Sequence, residues 1–440
     1  MINLFDTYNQ SSWDLHYSLI ISGYNNPTIA INDDGFLPED VTSPYLYFTG
    51  FDKIEGVPLY FNQVPVPEFW EITGTNNHGE IHDYHQKRAH IHYANPSHLR
   101  QVKAVDWYDE AGQRRLTDRY NKQGYCFSQT AYNQEGQATI TSYFTSTKQE
   151  VIVENHTTGD VILNDEDQVF IFKSRAEFVI HYLKKAAFNL DRIFYNSLST
   201  PFMVAYRLGQ AGNDVLFWQE DIADQVPGNM AILLQNTGHR TTKMVVQNKD
   251  AYGKLLRLLP QEERLMVSFL GFHYPFKRQS QLTRDALIMT NSDQLEGIEE
   301  LVTSLPQIQF HIGALTEMSA KLMGLGQYTN VHLYPNISQG NVNHLFQTCS
   351  LYLDINQGPE ILSSLRAAFE NRMVILSFAQ TSHDNQYTDE KNIMAQGQVS
   401  IMRDRLAEMA ADGQVMIQAL ISQEQAANVE TKEHYQAVID

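Results

Sequence analysis

Cysteine is almost missing from this chain: two residues, Cys126 and Cys349, in a total of 440. They lie far apart in apolar or aromatic surroundings, so a disulfide framework is excluded and a reducing compartment is expected. Basic residues are scarce too. Lys and Arg number 32 against 51 Asp and Glu, a net charge of −19, which argues against nucleic acid as a partner for the surface as a whole. No apolar run approaches the length of a membrane span. The opening MINLFDTYNQ carries Asp6 early and has no basic start before an apolar core, so no secretory signal is expected. Signature motifs are missing as well: no GxGxxG follows the first strand, and there is no GxxxxGK phosphate loop and no GxSxG elbow. No cofactor and no metal is expected. The chain reads as cytoplasmic, with attachment to the inner face of the cell membrane left open.

What is present is ordinary globular material, 42% hydrophobic and 19% charged, long enough for two or three cored domains. Residues 2–5 read as a strand, 7–23 as a helix with Trp13, Leu15, Leu19 and Ile20 inward, and 28–31 as a second strand. This is a βαβ opening. From Tyr47 the texture changes to period-two alternation with turn residues between the runs, for example at 57–61, 89–93, 101–108, 115–120, 126–132, 138–144 and 150–154. Such alternation predicts an antiparallel β-meander. A long single-layer sheet leaves faces and edges open, and a second chain would cover them. Strands alternating with helices resume after residue 165 and again near Arg264, including a strand at 265–270 and a helix at 294–305. The expected fold class is α/β: a Rossmann-like domain in two parts (1–46 and 166–262) with the meander (47–165) inserted, a second Rossmann-like domain (263–403), and terminal helices (404–440).

Residues 351–378, LYLDINQGPEILSSLRAAFENRMVILSF, read as strand, loop, helix (360–370) and strand. The unit resembles the C-terminal half of GT-B-like nucleotide-sugar glycosyltransferases, in which two Rossmann-like domains face a cleft. In such enzymes a helix start holds the donor phosphates and two Glu residues flank the loop. Here those two positions are Gly358 and Arg366. Glu360 and Glu370 lie nearby, but read as an acid at the helix start and a surface charge. The same enzymes carry an Arg and a Lys after the first strand of this half, where the pair neutralises the diphosphate. Here Phe272 stands at the Arg position and Lys277 is kept, though Lys277 and Arg278 also read as a solvated loop.

Other candidates sit on loops at strand ends, where α/β folds bind ligands. Trp218, Glu220, His273, Tyr274, Lys277 and Glu317 are the candidates for holding an acceptor. The meander carries a basic, aromatic-rich stretch from which Arg100, Lys103, Trp107, Arg114, Arg115 and Arg119 are taken as partner-interface candidates. A contact with an acidic partner or an anionic membrane and a solvated sheet face are both open there. His78, His82, His85, His90, His92 and His98 also fall in the meander. No Cys or paired carboxylate in the sequence completes a compact set, so they read as sheet histidines rather than a zinc site.

The segments MINLFDTYNQ, FNQVPVPEFWEITG, RYNKQGYCF, IVENHTTGDVIL, FWQE with PGNM, GFHYPFKR, ALTEMS, DINQG and RAAFENRMVIL together resemble the GtfB-type glycosylation chaperones of the accessory Sec system. The resemblance spans essentially the whole chain. It implies a non-catalytic partner of a GtfA-type transferase, the two together adding N-acetylglucosamine from UDP-GlcNAc to Ser and Thr of serine-rich repeat adhesins. It also implies a meander that pairs with its counterpart on the catalytic subunit. The departures at Phe272, Gly358 and Arg366 fit a subunit that has surrendered donor binding. The alternative is an active retaining nucleotide-sugar glycosyltransferase with an atypical donor site built on Lys277 and Glu360.

Overall fold

The computed structural model describes residues 1–235 and 238–440. They form two compact units, one of Met1–Leu270 with Tyr435–Asp440 and one of Gly271–His434. In the first unit the chain forms β1 (Ile2–Phe5), β2 (Thr28–Ala30) and β3 (Val41–Thr42). A meander follows: β4 (Glu71–Gly74), β5 (His78–Asp83), β6 (Gln86–Tyr93), β7 (Val102–Tyr108), β8 (Arg114–Tyr120), β9 (Cys126–Tyr132), β10 (Ala138–Phe144), β11 (Glu150–Asn155), β12 (Val161–Asp165) and β13 (Gln168–Phe172). The chain then returns to its first layer as β14 (Ile193–Tyr195), β15 (Asp214–Trp218), β16 (Thr241–Val246) and β17 (Val267–Phe269). The second unit holds β18 (Asp285–Thr290), β19 (Gln309–Ala314), β20 (Val331–Tyr334), β21 (Leu351–Asp354), β22 (Val374–Phe378) and β23 (Ile393–Met394).

The first sheet runs β17-β16-β15-β14-β1-β2-β3 and the third β20-β19-β18-β21-β22-β23, all strands parallel. Each order is that of a doubly wound Rossmann sheet, so each has a switch point, between β1 and β14 and between β18 and β21. Ligands of such sheets bind outside the carboxyl ends of the strands at that point. Both sheets are covered on two sides, which is why their strands are apolar throughout rather than alternating. Val374–Phe378 and Leu351–Asp354 are buried at every position.

Local signals place the flanking helices. Helix Arg175–Lys185 starts at Ser174, whose hydroxyl accepts from the Glu177 N–H, and ends on Lys184 and Lys185. Cap and charge both suit the helix dipole. Its Phe178, Val179, Tyr182 and Leu183 join the first core. The meander is one antiparallel ten-stranded sheet in chain order, β13 to β4. Its own core is Ile81, Ala89, Ile91, Val102 and Val105, all with no exposure.

Several expectations need correction. Residues 57–61 do not form a strand: Tyr60 makes an isolated bridge to Gln101 and a short 3-10 turn begins at Phe61. Pro58 has no N–H for a ladder. Ile20 faces outward at 37% exposure. The strand expected at 265–270 is only β17, preceded by the 3-10 turn Glu263–Met266, and the helix expected at 294–305 is Ile298–Ser304. The helix expected at 360–370 begins at Ser364, because Leu362 and Ser363 take positive φ of 56° and 47°. Among the described residues no helix is long and apolar enough to cross a membrane.

Candidate functional site

The switch point of the second unit lies where β18 and β21 end, and Gly358 stands in the loop beyond β21. A Cβ at Gly358 would meet the Asn291 Oδ1 at 2.2 Å and the Ser292 Cβ at 3.0 Å. The loop is held by its neighbours. Asn356 Oδ1 accepts from the Gly358 N–H (3.0 Å) and from Thr290 Oγ1 (2.9 Å), while its Nδ2 donates to the carbonyls of Gly358 (3.1 Å) and Pro359 (3.3 Å). His383 closes the set. Its Nδ1 lies 2.6 Å from Asp354 Oδ1 and its Nε2 2.6 Å from the Gly358 carbonyl, and its backbone N–H donates to Asp354 Oδ2 (2.9 Å). Burial pushes the imidazole pKa down, but the Gly358 carbonyl and the Asp354 carboxylate outweigh it and hold it above the ordinary value. With two acceptors on its two nitrogens, the ring is favoured as imidazolium.

The charged positions beside this loop are also engaged. Glu370, 6% exposed, receives Arg366 Nε at 2.7 Å and Lys277 Nζ at 3.0 Å. Arg366 also donates to Tyr387 Oη (3.3 Å). Glu370 is therefore a buried counter-ion, not the surface charge expected. Glu360 does serve the helix start, accepting from the Leu365 N–H at 2.9 Å. Arg278 is not a solvated loop residue: it donates to the carbonyls of Phe346 and Cys349. Phe272 is 8% exposed, packs edge-on against Tyr274 and pairs in a bridge with Val429. Tyr274, at 2% exposure, packs edge-on against Phe369 at 4.9 Å.

Of the acceptor candidates, Trp218 and Glu220 belong to the first unit and His273, Tyr274, Lys277 and Glu317 to the second. Trp218 is 1% exposed, so it and Tyr274 are core residues and present no surface for an acceptor. Glu220, Lys277 and Glu317 are exposed, and His273 is half-buried. Glu220 bonds Ser197 (3.1 Å) just beyond β14, at the first unit's switch point.

The first unit also holds a polar hollow of about 460 Å³ where the loops after β1 and β2 meet one face of the meander. Tyr8, Asn32, Asp33, Arg119, Glu154 and Arg175 are among its walls. Arg175 forks onto buried Glu154 (3.1 and 2.9 Å), Glu154 also takes the Tyr45 hydroxyl, and Tyr45 stacks on Tyr143 at 4.2 Å. Burial first, then Tyr143 and the Glu154 carboxylate, raises the pKa of Tyr45 far above the ordinary value, and burial followed by Glu154 does the same for Tyr143. The hollow therefore offers fixed donors and acceptors of both signs, which suits a neutral polar ligand such as a backbone or hydroxyl-rich segment. Sequence reading missed it, since Tyr45, Glu154 and Arg175 come from three distant segments.

The interface candidates do not make one free basic patch. Lys103 pairs with Asp34 (2.6 Å), Arg114 lies 3.7 Å from Asp106 and over the Tyr132 ring, and Arg115 lies 3.7 Å from Asp109. Arg100 donates to Asn76, and Arg119 to Thr130. Trp107 opposes Leu116, whereas Ala104 opposes Arg119, so Trp107 and Arg119 stand on opposite faces. The histidines are more ordered than expected. His78, Glu80 and His90 place one ligand atom each within 4.8 Å of one another, so a carboxylate does join the set. Burial, followed by His92, Lys87 and His78, holds His90 below its ordinary pKa. His82 lies 3.5 Å from Glu80, while His85 and His98 are exposed and outside this set.

Comparison with known proteins places this geometry. Models of the GtfB N-terminal, middle and third domains match residues 2–48, 70–173 and 175–258, and a GftB/GlyA-F C-terminal domain model matches 286–423. A peptide N-acetylglucosaminyltransferase stabilizing protein GtfB of Streptococcus gordonii is 46% identical over 430 residues, covering 97% of this chain and 96% of that one. This chain belongs to the GtfB family. The Streptococcus agalactiae member is 44% identical over 100% of this chain and 99% of its own. A chain in a crystal structure of a GtfA/B complex bound to UDP and GlcNAc superposes with a TM-score of 0.93 at 46% identity, covering 99% of this chain and 98% of that one. At 11% identity and a TM-score of 0.50, the pneumococcal O-GlcNAc transferase GtfA, covering 100% of this chain and 98% of its own, shares the fold alone. The α/β class expected from the sequence, with a meander inserted in a Rossmann-like unit, is that of the GtfB family.

Proposed function

We propose that this GtfB-family chain is a non-catalytic subunit of a two-protein O-GlcNAc transferase. It stabilises a GtfA-type catalytic partner and binds a Ser/Thr-rich adhesin acceptor, to which the partner adds N-acetylglucosamine before export by the accessory Sec system. The observation that carries the reading is that the donor positions are filled from within. Asn291 and Ser292 occupy the space a side chain at Gly358 would need, Glu370 pairs with both Arg366 and Lys277, and Phe272 is packed against Tyr274. A donor diphosphate needs free cations and an open loop at the strand ends. Glu360, the remaining carboxylate an active transferase would use, is engaged by the Leu365 N–H. For the acceptor, the polar hollow beside β1 and β2 and exposed Glu220, Lys277 and Glu317 supply weak polar contacts. Along an unfolded repeat chain such contacts act together. Cytoplasmic placement, with surface contact to the membrane, is the location that fits this role.

The test is to purify the chain alone, the partner alone and the two together, and to assay each with UDP-GlcNAc and an acceptor fragment. Transfer is expected from the pair, with the acceptor retained by this chain and the partner's solubility raised. Transfer by this chain alone would refute the proposal.

A further inference from the structure

β5 and β6 pair antiparallel with His78 opposite His92 and Glu80 opposite His90. Opposed residues, and residues two apart on a strand, share a face. All four therefore stand on one face. The other face carries Ile81, Ala89 and Ile91, each with no exposure. A slip of one residue would turn that apolar set to water, so the packed face fixes where the imidazoles stand. The rings of His78 and His90 stack at 4.9 Å, and His92 meets His90 edge-on at 4.6 Å while its Nε2 lies 2.8 Å from Asp106.

A cation already stands among these groups. The Lys87 ammonium is 2.6 Å from Glu80 Oε1 and 3.4 Å from His90 Nδ1. Its side chain is 38% exposed, so it can leave for solvent without disturbing the core.

We propose that His78, Glu80 and His90 form a binding site for a divalent cation of the zinc class, which takes the place of the Lys87 ammonium. Two imidazole nitrogens and one carboxylate oxygen are a donor set Zn²⁺ takes readily, with a fourth position left to water or another side chain. Mg²⁺ and Ca²⁺ prefer all-oxygen shells and are discriminated against by the two nitrogens. Tetrahedral Zn²⁺ draws its ligand atoms to roughly 3.4 Å apart. The three ligand atoms already lie within 4.8 Å of one another, so that closure is within reach of side-chain torsions on a fixed pair of strands. The Asp106–His92 pair stands beside His90 and limits how far its ring can turn.

Chelator-treated, tag-free full-length protein is titrated with ZnCl₂ by calorimetry, and bound metal is counted by mass spectrometry. One equivalent of Zn²⁺ should be lost in the double variant His78→Ala/His90→Ala and kept in His434→Ala. Lys87→Met, which removes the competing ammonium, should tighten the same site several-fold, and MgCl₂ and CaCl₂ should give no such equivalent. Because the histidine and lysine variants move affinity in opposite directions, a general loss of folding cannot imitate the result. Stoichiometry unchanged in the double variant, or Lys87→Met no tighter than the parent, would overturn the site.

Discussion

Putting a side chain back at Gly358 tests whether the end of β21 is filled by the chain itself. In Gly358→Ala the new Cβ arrives 2.2 Å from the Asn291 Oδ1 and 3.0 Å from the Ser292 Cβ. Asn291 can rotate, but Ser292 Cβ is fixed to backbone. Gly358 cannot slide away without giving up its N–H bond to Asn356 or its carbonyl bond from His383. Overpacking of this kind costs about 1–3 kcal/mol, and one lost hydrogen bond adds about 1 kcal/mol. The expected destabilisation of the second unit is thus about 2–4 kcal/mol. Asn291→Ala in the same chain should return part of it, with a coupling of about 1 kcal/mol or more. Four tryptophans are present, Trp13, Trp70, Trp107 and Trp218, all in the first unit, so indole emission follows that unit separately. Hydrogen exchange at the amides of β21 and β22 reads the second. The indole transition should stay in place while β21 and β22 lose protection, and Gly358→Glu should gain no affinity for UDP-GlcNAc. Parent-like exchange in Gly358→Ala, or tight nucleotide binding by Gly358→Glu, would refute the reasoning.

Arg240→Met should lower the stability of the first unit by about 3–5 kcal/mol, seen as an early indole transition, because Asp214 has no exposure and is forked by Arg240 at 2.8 and 2.9 Å. Replacing both partners by apolar residues should recover much of the loss. His383 is held above its ordinary value of 6.5, so its contribution is complete below about pH 6.5 and fades as pH rises through the folded value. Exchange at residues 356–358 should therefore quicken with pH beyond the intrinsic rate, and His383→Ala should remove that extra dependence. Glu370→Gln should cost about 1–3 kcal/mol in the second unit through Arg366, whose side chain is 13% exposed. Lys277→Ala should cost under about 1 kcal/mol by the same exchange measurement, since Lys277 is 57% exposed and its pair is screened.

Most of the architecture was legible because each sheet writes its own period. Strands buried on two sides, such as ALIM in β18 and VILSF in β22, are apolar runs, and the meander alternates between turns. Failures came where local apolarity was not backed by packing. VPLYF at 57–61 looks like a strand, yet Val57 is 79% exposed and Pro58 interrupts the ladder. β4 and β5 were not named as strands because their short runs carry Glu, Gly and His, which are weak β formers. At the candidate site the identities at Gly358, Arg366 and Phe272 were readable, but not what stands against them. Asn291 lies on another strand's loop, and His383 reaches Asp354 across 29 residues. Glu370 looked like an exposed charge because nothing local shows that Lys277 and Arg366 converge on it. Trp218 and Tyr274 looked like contact residues because large aromatics with polar atoms mark both interfaces and cores.

The manner in which the positions proposed as a former donor site are filled bears on the proposed subunit role. A site that had only eroded would keep stranded cations and a loop with unpaired backbone groups, each costing about 1–3 kcal/mol if buried. Here Lys277, the one cation kept, and Arg366, which stands at an expected Glu position, share one carboxylate, the loop amide and carbonyl are each bonded, and Asn291 lies where a side chain at position 358 would project. These contacts reinforce one another. Arg366 and Glu370 sit on the helix whose start Glu360 closes, and the same helix presents Phe369 to Tyr274 next to Phe272. Reopening the site would require several simultaneous changes, each destabilising alone, so the strand-helix-strand of residues 351–378 now acts as a brace for its unit. That bracing is what the proposed non-catalytic role asks of the second unit.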